Sequence, residues 1–181
     1  MKIVINNKIK TMKKIILLVV VIISTIFHAN AQMSTNQLSN EQYAQIKFNN
    51  VFKSSIENTE GNSVQLQTLL GAPLQVSEGT DGYGEIWKEY KYTSNFEVHF
   101  AYTDSNESSA EVYYIKSDSV QINGTTMNVG TMINLSNFII NQNTDGTQSV
   151  IFSRMTEDCC VIVIGINSNG IITSIEYLVW T

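Results

Sequence analysis

The chain carries one proline, two cysteines and two histidines in 181 residues, and it has no cluster of basic side chains. A single proline with 10 glycines excludes collagen-like and proline-rich chains. Two cysteines, adjacent at Cys159 and Cys160, can build neither a disulfide-dense scaffold nor a four-cysteine zinc site. Eleven Lys and Arg against 16 Asp and Glu, a net charge of −5, exclude the basic footprint that nucleic-acid binding requires. Charged residues make up only 15% of the chain, yet 43% are hydrophobic, so disorder is excluded as well. Absent too are the Gly-x-Ser-x-Gly elbow, a glycine-rich phosphate loop and a His-Glu-x-x-His helix. What is left is one domain, or two small ones, with enough apolar side chains for a sizeable core.

The apolar residues are unevenly spread. Lys13 and Lys14 precede thirteen uncharged residues, 15–27, and His28-Ala29-Asn30-Ala31 then leads to Gln32. A basic start, a short apolar run and small residues at Ala29 and Ala31 predict a bacterial secretory signal peptide over residues 1–31, with Met12 as an alternative start. A retained anchor is the other reading, but the run is shorter than the ~20 residues a membrane span needs. Cleavage after Ala31 leaves six basic against 16 acidic side chains, a balance of −10 on 150 residues. Such a chain is repelled by nucleic acid and by anionic membrane surfaces. The residue directly after the cut is Gln32, not the cysteine that lipidation at the cleavage site needs. The sequence therefore predicts a periplasmic or secreted protein that is not a lipoprotein.

Residues 32–38 are polar and aperiodic and read as a mobile leader; a single domain follows over 39–181. Ser39 and Gln42 fit a capping box for a helix whose apolar face would be Ala44, Phe48, Val51, Phe52 and Ile56. A second, short helix starts at Ser63 and carries Leu66, Leu69 and Leu70, with Gly71 as a left-handed cap and Pro73 beyond it. The period then turns from helical to alternating. Strands are predicted over 85–92, 96–102 and 110–115, a small hairpin around Asn123-Gly124, a helix over 131–140, and strands over 148–155, 159–166 and 171–180. Helix followed by three strands thus occurs twice, in 63–117 and in 130–181. The predicted class is α+β: an antiparallel sheet, or two abutting ones, with helices on one face. Two unrelated halves of similar order are the alternative.

A family resemblance rests on Leu69-Leu70-Gly71-Ala72-Pro73 followed by Trp87 and Tyr90 on the next strand. This segment resembles the SmpA/OmlA outer-membrane assembly proteins, and the duplicated pattern resembles the beta-lactamase-inhibitor-protein-like fold. The resemblance implies a small exported protein without catalysis that docks on other proteins. It covers residues 63–102 by motif and the second half by pattern only. Two departures stand beside it: Lys88 and Glu89 separate the tryptophan from the tyrosine, and no cysteine is placed for lipidation or for disulfides within the repeats.

Candidate chemistry is sparse. His99 would be the one histidine left after cleavage, on a strand face shared with Glu97 and Ala101. A general-base role with Glu97 is one reading and a solvent-face histidine the other. Asp104, Glu107, Glu111 and Asp118 could offer oxygens to calcium, but their spacing matches no known loop. For Cys159-Cys160, two buried free thiols are favoured over a strained vicinal ring, since neighbouring strand residues point apart. The aromatics offer more. Trp87, Tyr90, Tyr92 and Trp180 are predicted to lie on an exposed sheet face, as amphipathic rings suited to binding. Tyr113 and Tyr114, being adjacent, are expected on opposite faces. The predicted function is a non-enzymatic exported protein, without cofactor or metal, that binds another envelope or extracellular protein through its sheet face and loops. A small apolar-ligand carrier and, third, a hydrolase using His99 are the alternatives.

Overall fold

A computed structural model describes residues 34–81, 84–102, 110–143, 145–155 and 157–179, with side chains at 157 and 158 excepted. The signal peptide expected over residues 1–31, Tyr83, most of the loop after Tyr102 and Trp180 lie outside the described residues. Among those described, no helix is long and apolar enough to cross a membrane.

The class is α+β, with antiparallel sheets dominating. Strands β1 (Asn36–Leu38), β4 (Gln75–Thr80), β5 (Ile86–Lys91), β6 (Glu97–Tyr102), β7 (Ala110–Lys116), β10 (Ile140–Gln142), β11 (Gln148–Arg154), β12 (Glu157–Ile166) and β13 (Ile172–Val179) form one large sheet. Its order is β1-β11-β12-β13-β7-β6-β5-β4, with β10 also paired to β11. Each meander begins with a strand absent from the sequence reading, β4 in the first and β10 in the second. The two meanders abut at their last strands, where β7 pairs antiparallel with β13. A second sheet, β3-β2-β8-β9, consists of β2 (Lys47–Phe48), β3 (Val51–Phe52), β8 (Ser119–Ile122) and β9 (Thr125–Asn128). Helices α1 (Asn40–Ala44), α2 (Lys53–Glu57) and α3 (Ser63–Leu70) complete the fold. One core joins Val98, Phe100, Ile115, Ile162, Ile164 and Ile175 of the large sheet to Ile56 and Leu66 of α2 and α3, Ile46 after α1, and Phe48 and Val120 of the small sheet.

Several expectations are corrected. The long first helix is broken in two. Its capping box is present, the Ser39 hydroxyl accepting from the Gln42 amide and the Gln42 side chain from the Ser39 amide, but α1 stops at Ala44. Asn49 and Asn50 both take positive φ (46° and 68°), a turn that pairs β2 with β3 and lets α2 start afresh. Asparagine tolerates that conformation better than other residues with a Cβ. The helix expected over 131–140 is a single 3-10 turn at Leu135–Asn137. Part of the polar leader is β1, which lies parallel to β11 and buries Leu38. Asn62, rather than Ser63, caps α3 by accepting from the amides of Val64 and Gln65.

The alternation read for β6 is the observed one: Phe96, Val98, Phe100 and Tyr102 are buried. In β13 the pairing slips between Gly165 and Ile166, so Ile172, Ile175 and Tyr177 are buried while Thr173 is exposed. The hairpin at Asn123-Gly124 has positive φ at both residues.

At the α3 end of the core two tyrosine hydroxyls are satisfied by one carbonyl. Tyr90 and Tyr102 both donate to the Gly61 oxygen, at 3.1 and 2.9 Å. Gly61 has φ +71°, and a Cβ there would lie 2.6 Å from the Tyr102 hydroxyl. Gly124, at φ +77°, has open space around the same position. Gly124→Ala is therefore expected to cost the left-handed backbone penalty alone, about 1–2 kcal/mol in urea unfolding. Gly61→Ala is expected to cost more; equal losses at the two sites would show that Tyr102 moves aside freely.

Candidate functional site

The side of the large sheet away from the core gathers the polar chemistry. Residues of one face follow from the pairing: Trp87 stands opposite Ala101, Glu89 opposite His99 and Lys91 opposite Glu97. Glu97 also faces Lys116 of β7, and His99 faces Tyr114. Because Val98 and Phe100 point inward on either side of it, His99 must point outward.

A β-bulge completes the group. Between His99 and Phe100 the partner on β7 jumps from Tyr114 to Val112, leaving Tyr113 as the extra residue. Adjacent residues that alternation would send to opposite faces are thereby aimed to the same one. The expectation for Tyr113 and Tyr114 is thus corrected. Both rings meet the imidazole, with centroids 5.6 Å (Tyr113) and 4.7 Å (Tyr114) away. The Tyr113 hydroxyl lies 3.4 Å from His99 Nδ1, a long hydrogen bond.

The other ring nitrogen is the unusual atom. His99 Nε2 is buried and has no hydrogen-bond partner among the described residues. Its neighbour Glu97 holds Oε1 at 3.9 Å. Ligand atoms of Glu89, Glu97 and His99 all lie within 4.8 Å of one another. Burial pulls the His99 pKa below the ordinary 6.5, with Glu89 and then Glu97 acting in the opposite direction. The Tyr114 hydroxyl is pushed up to about 12, first by burial and then by Glu176, Glu97 and Glu89. Tyr113 is raised by burial and by Glu89. The site thus presents an imidazole shifted toward its neutral form, two phenols held protonated and the carboxyl groups of Glu89 and Glu97, with Lys91 and Lys116 opposite Glu97 in register. It can accept, donate and coordinate. Neither phenol is a nucleophile near neutral pH.

The aromatic quartet is divided. Tyr90 and Tyr92 are 4% and 8% exposed and belong to the core, correcting their expected place on the open face. Tyr90 shares the inward parity of β5 and reaches Gly61, while Tyr92 follows the strand and packs on Phe96 with centroids 5.4 Å apart. Trp87 is half-buried on the outer face, its indole lying against Gly79 of β4, where a Cβ would come within 2.5 Å of the ring. Trp180 is outside the described residues. Strand parity already separates Trp87 from Tyr90 and groups it with Glu89; nothing in the sequence marks the bulge. Of the candidate calcium ligands, Asp104 and Glu107 are not described. Glu111 is exposed, and Asp118 accepts from the Asn95 amide group and the Thr93 hydroxyl.

Cys159 and Cys160 form a vicinal disulfide, and no free cysteine remains, which corrects the favoured reading of two thiols. Cys160 borders a surface recess with Tyr43, Lys53, Glu57, Arg154 and Tyr177. Lys53, 6% exposed, pairs with Glu57, and its ammonium sits 4.8 and 4.9 Å from the Tyr43 and Tyr177 ring centroids. The rings compensate for part of the water that this cation gives up. Neither the disulfide nor the recess lies among the residues of the His99 site.

No family of known proteins, no curated protein sequence and no solved structure matches the chain.

Denatured without reductant, the protein is expected to show no titratable thiol at Cys159 and Cys160, and two after reduction; two before reduction would remove the ring. For His99, the lowered folded-state pKa means that the unfolded chain takes up a proton at a pH where the folded chain does not. The stability its neutral form contributes is present above about pH 6.5 and is lost as pH falls through the window below that value. Melting temperatures at about pH 7.5 and pH 5.5 should therefore differ less in His99→Gln than in the wild type. An equal difference would show that His99 does not report the change.

Proposed function

We propose that the protein is an exported, non-enzymatic module that binds another envelope or extracellular protein through the outer face of its large sheet. One observation carries the reading: Trp87, His99, Tyr113 and Tyr114 stand half-buried on that face, outside the core cluster. Large rings with polar tips give contact area at low entropy cost, and they are favoured at the centres of interfaces. Lys91, Lys116, Glu89, Glu97 and Glu176 surround them with charges of both signs, as a polar rim does. The acidic balance of residues 32–181 favours a partner with a basic surface. Export follows from the basic, apolar and small-residue pattern of residues 1–31. The resemblance to the SmpA/OmlA assembly proteins and to the beta-lactamase-inhibitor-protein-like fold belongs to the same proposal, since both groups dock on proteins.

The alternatives are weaker on the geometry. A carrier of apolar ligands needs an apolar cavity with a few converging polar groups. The recess beside α1 and the Asn123-Gly124 turn is instead lined by Glu41, Gln42, Gln45, Lys47, Gln121 and Asn123, and the recess bordered by Leu38, Ile122, Met127, Phe138 and Phe152 also carries Asn36, Gln37, Gln42, Asn123, Thr125 and Asn137. A hydrolase using His99 has carboxylates at hand, but it lacks a nucleophile in contact with the imidazole among the described residues.

The test is capture of cross-linked partners from envelope extract by wild type and by a Trp87→Ser, Tyr113→Ser, Tyr114→Ser variant. The variant is expected to keep its melting transition, because these side chains lie outside the core, and to lose the specific partner. Capture of the same protein by both would overturn the assignment of this face. A catalytic phenotype of His99→Ala that capture does not explain would favour the hydrolase.

A further inference from the structure

We propose that Glu89, Glu97 and His99 form a binding site for one zinc ion on the outer face of the large sheet. The three donors come from two adjacent strands. Glu97 and His99 are two residues apart and share a face of β6, and Glu89 is the cross-strand neighbour of His99 on β5. One ligand atom from each already lies within 4.8 Å of the other two. Zinc holds nitrogen and oxygen donors at about 2.0–2.2 Å, so bound donors stand roughly 3.3–3.5 Å apart. The observed 3.9 Å between Nε2 and Glu97 Oε1 is close to that spacing. Small rotations of two glutamate side chains bring the set together.

His99 distinguishes this group from an ordinary acidic patch. Its Nε2 is buried and has no hydrogen-bond partner among the described residues. A buried polar atom left unsatisfied is costly, and coordination satisfies it. At the other end of the ring, Tyr113 stands where Nδ1–H can donate to its hydroxyl oxygen. That bond leaves the Nε2 lone pair free and directs it at the carboxylates, the outer-shell arrangement typical of metal-bound histidine. Tyr114, tilted against the imidazole with centroids 4.7 Å apart, holds the ring in place. Burial favours the neutral imidazole, the form that coordinates.

The donor chemistry selects the ion. An imidazole nitrogen favours zinc and its first-row neighbours over magnesium and calcium, which prefer all-oxygen shells. Two carboxylates balance the charge of a divalent ion. Three protein ligands on a half-buried face leave a fourth position for water or for a side chain from outside. The site stands independently of the docking proposal: zinc can bind whether or not a partner does.

Zinc chloride titrated calorimetrically into the purified protein, made without a histidine tag, is expected to show a saturable site of one ion per chain. His99→Gln and Glu89→Gln should each weaken it by at least ~10–100-fold, the loss that even outer-shell changes cause. Tyr113→Phe should weaken it less. Nitrogen NMR of the histidines reads the site without mutation: one equivalent of zinc should shift Nε2 of His99 and leave Nδ1 protonated. An unshifted His99 at one equivalent would overturn the proposal, as would unchanged affinity in His99→Gln. Calcium or magnesium binding that ignores His99→Gln, with no zinc site, would overturn it too. These readouts are separate from partner capture, so either proposal can fail alone.

Discussion

Three rungs between β7 and β13 place Lys116 opposite Glu176, Ile115 opposite Tyr177 and Tyr114 opposite Leu178, and they join two meanders into one sheet. Without that seam each half would be a small sheet with two open edges and too little area to bury a core. With it, Ile115 and Tyr177 both point inward, and Val98, Phe100, Ile162, Ile164 and Ile175 line up on a single apolar face. The helices and the small sheet have one surface to cover. The opposite surface is left for polar and aromatic side chains. Core and candidate site are the two sides of one pairing.

The site depends further on a local break in that regularity. A perfect ladder between β6 and β7 would turn either Tyr113 or Tyr114 into the core. The bulge beside His99 keeps both outside and closes the imidazole between them. Half-burial by these rings shifts the histidine toward its neutral form and leaves Nε2 without a hydrogen-bond partner among the described residues. Ligand atoms of Glu89 and Glu97, from two strands, then stand within 4.8 Å of that nitrogen's group. The proposed docking and the proposed zinc coordination would use this same arrangement in different ways, one through ring area and the other through donor atoms.

Much of the fold is legible residue by residue. Period two in β5, β6 and β7 marks both the strands and, in β6, their buried faces, and Asn123-Gly124 marks its own turn. The repeat of helix and strands is visible as order, and the sheet shows it as two meanders meeting at their last strands. The first helix misleads because Phe48, Val51 and Phe52 suit a helical stripe as well as a hairpin. Asn49-Asn50 decides between them by adopting left-handed backbone. The helix of the second half fails for a different reason: its apolar residues pack on the core from a 3-10 turn and a short strand, Leu135 and Phe138 among them. β4 carries Gly79 and polar residues, so it lacks the alternation by which strands are recognised.

Sequence by itself determined the α+β class, three strands of each meander, the outward parity of Glu97 and His99, and the absence of a Gly-x-Ser-x-Gly elbow, a glycine-rich phosphate loop and a His-Glu-x-x-His helix. These depend on near neighbours in the chain, where period and turn chemistry act directly. Tertiary structure decided the rest: the β7–β13 seam, the bulge that unites Tyr113 and Tyr114, the burial of Tyr90 and Tyr92, and the meeting of Glu89 with His99. Each of those is set by register between strands that are distant in sequence or by an irregularity in it. A one-residue slip reverses every side chain, and no local pattern records it.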